Sequence, residues 1–292
     1  MAVAGGEVYW ASVDWESDSG PSGTGSVQRV SVEGGAAEIV GMGLLPYAVA
    51  ANATSVYWTE NPASDQTRIL RAPRGGGAPT VLYTGGFVTT GIALDEQGNL
   101  YWGSRQQASG GALLKMPAGG GNPVVLATSP VPNRLCTSGC IAVDATSVYW
   151  VPNGPGPLLK VPRAGGSSIS LASTQGVSAL AVAPQGVYWM DAAAIRTVGL
   201  DGGAVRTIAS VTYGAGMTVD SANVYWISTT DTASLVEKAP LAGGAPSTVA
   251  TLPIQGLGPP TALAVDDTSV YLAATIPGCT LGCAAVEKIT PK

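Results

Sequence analysis

The segment Ser147-Val148-Tyr149-Trp150-Val151 decides the fold of this chain, because its Val-Tyr-Trp core, or a near variant, recurs seven times. Successive copies are 48, 44, 48, 39, 37 and 46 residues apart. The copies centre on Tyr9, Tyr57, Tyr101, Tyr149, Tyr188, Tyr225 and Tyr271. A period in this range is the signature of folds built from repeated structural units. We therefore predict that residues 1–292 form a single domain.

The fourth copy shows what one repeat contains. The runs 141–143, 147–151, 158–162 and 169–172 are rich in β-branched and aromatic residues and are divided by Gly, Pro and Asn. No helical periodicity lies between them, so each repeat is predicted to contain four short strands, here named A to D in chain order.

Strand A has a small residue at its middle position in every copy. These residues are Ala2, Ala50, Ala93, Ala142, Ala181, Thr218 and Ala264. Innermost strands crowd around a central axis, whereas a linear solenoid gives no reason for small side chains in one strand of four. The predicted fold class is all-β, a seven-bladed β-propeller of four-stranded antiparallel blades.

The predicted blades span approximately 1–41, 47–84, 90–128, 140–173, 178–210, 215–251 and 261–292. The seventh repeat supplies strands A, B and C but no strand D before Lys292. We therefore expect the last blade to have three strands, unless residues beyond this sequence complete it.

The turns of the repeat have two recurring signals. The A–B turn has Asp or Asn in five copies, which favours a turn because these side chains accept bonds from nearby backbone N–H groups, although calcium binding is an alternative. The C–D turn carries paired glycines, as in Arg74-Gly75-Gly76 and Ala164-Gly165-Gly166, which supply positive φ.

Strand C carries a cation at a fixed position: Arg29, Arg71, Lys115, Lys160, Lys238 and Lys288. These side chains could form a ring that binds an anionic surface. The structural alternative, which we prefer, is that their stems pack between blades and their heads reach water or a carboxylate.

Strand B and the C–D turn carry the segments Tyr57-Trp58-Thr59-Glu60, Tyr188-Trp189-Met190-Asp191 and Leu200-Asp201-Gly202-Gly203. These motifs resemble the YWTD propellers of lipoprotein-receptor ectodomains and their bacterial relatives, with a looser similarity to NHL-type propellers. The resemblance covers essentially the whole chain and implies extracellular recognition of a protein or glycan. Two features depart from that family: most copies lack the final Asp of the motif, and seven repeats replace its six blades.

Composition narrows the partners and the compartment. The net charge of -5 argues against nucleic acid, and no apolar run approaches the roughly 20 residues of a membrane span. No signal-peptide pattern precedes the first repeat, so we expect a mature domain, with a cytosolic protein as the alternative. We expect a monomer or a module of a larger protein.

The four cysteines form two pairs with a Gly-containing spacer of three residues, Cys136 with Cys140 and Cys279 with Cys283. Such a spacer lets the chain double back within disulfide reach, so two local disulfides are predicted. Free thiols and a metal site are the alternatives, and the absence of His from the sequence weakens the latter. Disulfides would place the protein in the periplasm, outside the cell or on its surface.

The B–C and D–A loops lie on one face of the predicted propeller and vary widely between repeats. We call this the loop face, and binding specificity is usually built in such loops. Acidic and aromatic residues on it suit a sugar, a cationic peptide or a metal-assisted site, although acidic loops could merely confer solubility. The candidate ligand-binding residues are Asp14, Trp15, Glu16, Asp18, Tyr47, Glu60, Phe87, Arg105, Arg134, Asp191, Tyr213 and Asp231.

Catalysis is disfavoured, and we name no catalytic residue and no cofactor. Without His the chain can form neither a Ser-His-Asp nor a Cys-His unit. The first hypothesis is a secreted or cell-surface binding module for a protein or glycan. The alternatives are a calcium-dependent, lactonase- or hydrolase-like propeller enzyme with carboxylates at the mouth of the central channel, and a purely structural repeat of a larger surface protein.

Overall fold

The structure is a computed structural model, and it describes residues 1–16, 20–63, 66–85, 91–106, 110–129, 140–152, 155–253, 260–275 and 284–292. Seven antiparallel sheets follow one another along the chain, and each pairs its strands in chain order. Six sheets have four strands and the last has three. The prediction of a seven-bladed propeller with a three-stranded final blade is confirmed.

The strand bounds are as follows. Blade one comprises β1 (Ala2–Ala4), β2 (Glu7–Glu16), β3 (Gly20–Ser31) and β4 (Glu38–Leu44). Blade two comprises β5 (Pro46–Ala51), β6 (Ser55–Ala63), β7 (Gln66–Pro73) and β8 (Thr80–Gly85). Blade three comprises β9 (Ile92–Leu94), β10 (Leu100–Gln106), β11 (Gly110–Met116) and β12 (Val124–Ser129). Blade four comprises β13 (Ile141–Val143), β14 (Ser147–Trp150), β15 (Gly156–Pro162) and β16 (Ile169–Thr174).

Blade five comprises β17 (Ala179–Ala183), β18 (Gly186–Met190), β19 (Ala194–Val198) and β20 (Arg206–Ser210). Blade six comprises β21 (Gly214–Val219), β22 (Asn223–Thr229), β23 (Ala233–Pro240) and β24 (Ser247–Pro253). Blade seven comprises β25 (Pro260–Val265), β26 (Val270–Thr275) and β27 (Ala284–Ile289). None of these described elements is a helix, and so none is a helix that could cross a membrane.

One cross-strand row explains why the repeated residue types occur together. In blade four, Ala142 pairs with Tyr149, and Tyr149 pairs with Lys160. The small residue of strand A pairs with the motif Tyr in all seven blades. Directly paired residues project from the same face of a sheet, so the small side chain leaves space for the aromatic ring.

The core lies between the blades. The motif Tyr of each blade is at most 1% exposed, and the six motif Trp are at most 2% exposed. In one interface Tyr149 and Leu171 of blade four pack against Val187 and Trp189 of blade five. The motif aromatics are therefore internal packing groups.

The tyrosine hydroxyls are held by the A–B turns. Tyr149 donates to Asp144 Oδ2 at 2.8 Å, and Asp144 Oδ1 accepts the backbone N–H of Thr146 and Ser147. Asp95, Asp220 and Asp266 bond the Tyr of their own blades in the same way. One carboxylate thus closes the turn and satisfies a buried phenol, as the turn interpretation of these residues requires.

The strand C cations join neighbouring blades. Lys115 Nζ donates to Arg163 O at 3.0 Å, and Lys160 Nζ donates to Leu200 O at 3.0 Å. Each acceptor is a backbone carbonyl in the C–D turn of the following blade. Lys288 makes the same bond from blade seven to Val32 O of blade one, at 2.8 Å, and so closes the ring.

Strand D contains a bulge in all six blades that have one. In blade four the register passes from Leu158–Ala172 to Leu159–Ser170, so Leu171 has no partner on strand C. The corresponding residues are Val40, Leu82, Leu126, Leu171, Ile208 and Val249. A bulge redirects the side chain of the extra residue. Here an aliphatic side chain from the outermost strand enters the core between two blades.

Candidate functional site

The loop-face end of the central channel contains a cavity of about 610 Å³. Its lining includes 47–49, 91–92, 178–180, 214–217 and 262–263, which lie where strand A begins in five blades. The beginning of strand A follows the D–A loop, and this places the cavity at the loop-face end of the channel. Trp10 and Ala11 of β2 and Ala273 of β26 complete the lining, together with Met1.

The side chains that line the cavity are mainly apolar, whereas nearly half of its exposed wall is made of polar atoms. Val49, Ile92, Leu180, Met217 and Leu263 contribute aliphatic and thioether side chains, and the rest is mostly Ala and Gly. Polar side-chain atoms in the lining come from Ser178, Trp10 and Tyr47. None of the described lining residues has a carboxylate or a positively charged side chain. The apolar side chains of the lining suit an apolar group of a ligand.

Two tyrosines at this end project into solvent. Tyr47 lines the cavity and is 54% exposed, and Tyr213 directly precedes the lining residue Gly214 and is 78% exposed. Tyr213 has a φ of 49°, which is uncommon for an aromatic residue. Exposed Tyr side chains are frequent in recognition surfaces, because they combine a large apolar area with a hydroxyl.

Glu60, one of the predicted ligand-binding residues, is buried between blades one and two. Its Oε1 accepts the indole N–H of Trp58 at 3.1 Å, and it is 3% exposed. Burial raises the pKa of Glu60, while the bond from Trp58 opposes that shift. The carboxylate at the fourth position of the motif therefore serves its own blade, and we leave it out of the proposed site.

Asp191 is similarly engaged within the fold. Its Oδ1 accepts the backbone N–H of Ala193 and Ala194, and its Oδ2 lies 2.7 Å from Arg196 Nε. Burial acts to raise the pKa of Asp191, but the Arg196 bond and the two backbone bonds hold it below its ordinary value. Asp191 shapes the short B–C turn of blade five, and it too is left out of the proposed site.

Asp231 is exposed in the B–C turn of blade six, where it is available to a ligand. The backbones of Asp14, Trp15, Glu16 and Arg105 belong to β2 and β10. Their side chains lie outside the described part of the structure. The remaining candidates, Asp18, Phe87 and Arg134, also lie outside it. These seven residues stay predictions.

The cysteine prediction falls mostly outside the described residues, which include Cys140 but not Cys136, Cys279 or Cys283. Cys140 is 6% exposed and disulfide-bonded. The predicted pairings with a three-residue spacer are not tested further.

The described residues contain no group of three or more His, Cys, Asp or Glu side chains that could hold a metal ion. Carboxylates clustered around the axis would support the calcium-dependent enzyme. Within the described part of the cavity wall, that support is missing.

Sequence reasoning missed the apolar cavity and the inward aliphatic residue of strand D. The cavity forms where the starts of strand A from five blades meet, and no local motif encodes that arrangement. In blades three to six the sequence of strand D carries a signal, an aliphatic residue followed by Ala. Regular alternation of side chains would place that aliphatic residue on the outer face, and only the bulge turns it inward.

No protein-family model and no curated protein matches the chain. Solved structures do resemble it. A chain of a nidogen–laminin complex is 16% identical, with 82% of this chain and 93% of that chain covered and a TM-score of 0.55. An oligogalacturonate lyase in complex with manganese is 10% identical, with coverages of 92% and 83% and a TM-score of 0.69.

A puromycin hydrolase is 15% identical with a TM-score of 0.70, and the match covers 99% of this chain but only 51% of the hydrolase. The chain thus spans about half the length of that enzyme. At these identities the likeness shows the fold, a β-propeller, and the functions of the matched proteins differ from one another.

Proposed function

We propose that this protein is a binding module that recognises a protein or glycan through its loop face, with the central cavity receiving an apolar group of the ligand. The observation that carries the proposal is the cavity of about 610 Å³ at the loop-face end of the channel. Its mostly apolar side chains, with Tyr47 and Tyr213 exposed beside them, provide contact area for such a group.

The resemblance to YWTD propellers supports the same class of function, and so does the presence of a nidogen–laminin complex among the similar structures. We place the protein outside the cytosol, secreted, periplasmic or on the cell surface, because Cys140 is disulfide-bonded. A bacterial source is part of this proposal and rests on the Gly-rich repeats.

A peptide library displayed on phage and a glycan array provide the test, because they cover both ligand classes. Ligands that are selected should bind Tyr47→Ala and Tyr213→Ala at least about tenfold more weakly, as expected when aromatic contacts at the centre of an interface are removed. Trp15→Ala tests the predicted aromatic residue of the blade-one loop in the same assay.

Met42→Ala is the matched control, since Met42 is 61% exposed on the outer strand of blade one, away from the channel. Its affinity should equal that of the wild type. Ligands that bind all of the tyrosine variants normally would contradict the proposal.

A further inference from the structure

A second cavity, of about 380 Å³, lies between blade seven and blade one. Val8 and Val30 line it from blade one, and Tyr271, Val286 and Lys288 line it from blade seven. The C–D turn of blade one, residues 31–35, forms the rest of the wall.

At other interfaces the same place is filled by the bulged residue of strand D. Leu126 of blade three clusters with Val148 and Val161 of blade four, which correspond to Val8 and Val30. Leu171 of blade four clusters in the same way with Val187 and Val198 of blade five. Leucine side chains also reach the C–D turn of the next blade, where a Cβ on Gly120 would lie 3.3 Å from Leu82 Cδ2.

Blade seven supplies no such residue among its described strands, and two valines are partly exposed as a result. Val286 is partly exposed, whereas its counterparts are 0% exposed. Those counterparts are Val27, Ile69, Leu113, Leu158, Ile195 and Val236. Val30 is also partly exposed, whereas its counterparts in blades two to six are at most 2% exposed.

The outer edge of blade seven adds a partly exposed cation, Lys288, to this apolar site, and its Nζ donates to Val32 O and lies 4.0 Å from Glu33 Oε1. In blade one the strand C cation Arg29 pairs with Glu38 of strand D, with Arg29 Nη2 2.6 Å from Glu38 Oε2. Lys288 occupies the Arg29 position, and its side chain is 37% exposed. In a bound strand, a carboxylate two residues before the inserted aliphatic residue would lie opposite Lys288. Glu38, two residues before Val40, lies opposite Arg29 in the same way.

We propose that the edge of blade seven binds an extended strand of a partner protein, antiparallel to β27, with an aliphatic side chain in the cavity between blades seven and one. The pattern that fits is Glu-x-aliphatic-Ala-Thr, in which Glu comes from strand D of blade one and aliphatic-Ala-Thr from strand D of blades three and six. The backbone of the strand would pair with the edge of β27, and the aliphatic residue would provide selectivity.

A second copy of this chain fits the site less well. Four of its six strand D bulge residues, Val40, Leu126, Leu171 and Ile208, are at most 8% exposed between its own blades. The other two, Leu82 and Val249, are partly buried and pack against the same kind of cluster. They cannot enter a cavity in a neighbour without opening the propeller.

The test uses a fluorescein-labelled peptide, Glu-Val-Leu-Ala-Thr-Ser, which is the β12 sequence with Glu in place of its first Val. Fluorescence anisotropy should show saturable binding to the full chain. A control peptide with Asp in place of Leu should bind at least about tenfold more weakly, because it loses the burial of the leucine side chain and brings a carboxylate to an apolar site.

Val286→Asp should weaken binding to the same extent, whereas Glu287→Gln should bind normally because side chains alternate along a strand and residue 287 projects away from the cavity. A chain extended after Lys292 by a copy of residues 164–174, the C–D turn and strand D of blade four, should fail to bind the peptide and should melt at a higher temperature.

Equal affinity for the two peptides would overturn the proposal, as would undiminished binding to the extended chain. A dimer that Val286→Asp dissociates, in the absence of peptide binding, would also overturn it and would identify a second copy as the occupant. The extended chain keeps the proposal testable if Val286→Asp does not fold.

Discussion

The carboxylates of the A–B turns show how single residues serve two purposes in this fold. Asp220 accepts the backbone N–H of Ala222 and Asn223 and the hydroxyl of Tyr225, and it lies 2.7 Å from Lys292 Nζ of the next blade. Burial acts to raise the pKa of Asp220, but these bonds, above all that from Lys292, lower it to about 2.

A pH dependence follows from this shift. Because the pKa of Asp220 is lower in the folded state than its ordinary value of 3.8, its contribution is complete above pH 4 and is lost as the pH falls towards 2. The contribution is at most about 2 kcal/mol. Urea unfolding of the wild type and Asp220→Asn should show a stability difference that narrows over this interval. A difference that stays constant from pH 4 to pH 2 would refute the role of this carboxylate.

The alkaline limit should involve the motif tyrosines. Burial and the hydrogen bonds to Asp220 and Asp266 raise the pKa of Tyr225 and of Tyr271 to about 12. A raised pKa means that stability is complete below pH 10 and is lost between pH 10 and pH 12. In a Tyr47→Phe/Tyr213→Phe variant, which lacks the two exposed tyrosines, absorbance at 295 nm reports phenolate at the buried positions and should rise together with unfolding. A rise near pH 10 while this variant remains folded would contradict the prediction.

The glycines of the C–D turn differ in their need for positive φ. Gly76 has a φ of 92°, whereas adjacent Gly75 has an ordinary φ, and a Cβ on either would meet nothing within 4 Å. Gly76→Ala should therefore destabilise by about 1–2 kcal/mol, and Gly75→Ala should be neutral or slightly stabilising. Thermal melting compares the two variants. Equal melting temperatures would contradict the assigned turn.

The sequence predicted that the C–D turns contain paired glycines, but it did not predict which two glycines of blade two have positive φ. The pair Gly75-Gly76 was aligned with the other copies, but positive φ belongs to Gly76 and Gly77. Blade two has three consecutive glycines, and the pattern alone cannot choose between two adjacent pairs. Only the bond from Gly76 N to Pro73 O fixes the choice.

Among the structural elements, strand D links each blade to the next. Leu171 is 7% exposed in the interface, whereas Ile169 of the same strand is 49% exposed. Leu171→Ala should reduce the free energy of unfolding by about 2–4 kcal/mol, because it removes a side chain from a packed core. Ile169→Ala, the matched control, should change it by less than about 1 kcal/mol. Similar effects of the two changes in urea unfolding would contradict the bulge assignment.

Strands A and B were predictable because their residues report on packing that repeats in every blade. Ala142 pairs with Tyr149, and the same pairing recurs in the other blades. The column of small residues in the sequence therefore indicates crowding around the propeller axis. For strand D the sequence predicted only where the strand lies in each repeat, and it did not predict which side chains point into the core. Its exposed face carries Ile39, Val81 and Val124, so hydrophobicity alone does not separate its inward from its outward residues.

For the whole molecule, the ring is closed by contacts between unequal blades. Lys288 of blade seven bonds Val32 O of blade one as Lys115 and Lys160 bond the blades that follow them. The interface nevertheless keeps a cavity where the other interfaces have an aliphatic residue. The number of blades followed from counting the motif, whereas this local deficit required the three-dimensional comparison of seven interfaces.

The sequence predicted which face of the propeller carries the candidate site, but it did not predict which side chains form that site. Comparing repeats pointed to the variable loops, and the cavity lies at that end of the channel. Glu60 and Asp191 could not be excluded from sequence, because an acidic residue at a strand end is compatible both with solvent and with a buried partner. Their bonds to Trp58 and Arg196 distinguish these cases.

Hydrogen–deuterium exchange with and without a ligand selected on phage or on the glycan array tests the binding claim most directly. The account predicts slower exchange at the starts of β5 and β21, around Tyr47–Val49 and Gly214–Met217, with the C–D turns on the opposite face unchanged. Protection confined to the C–D turns, or to the outer strands, would contradict a binding site at the loop-face end of the channel.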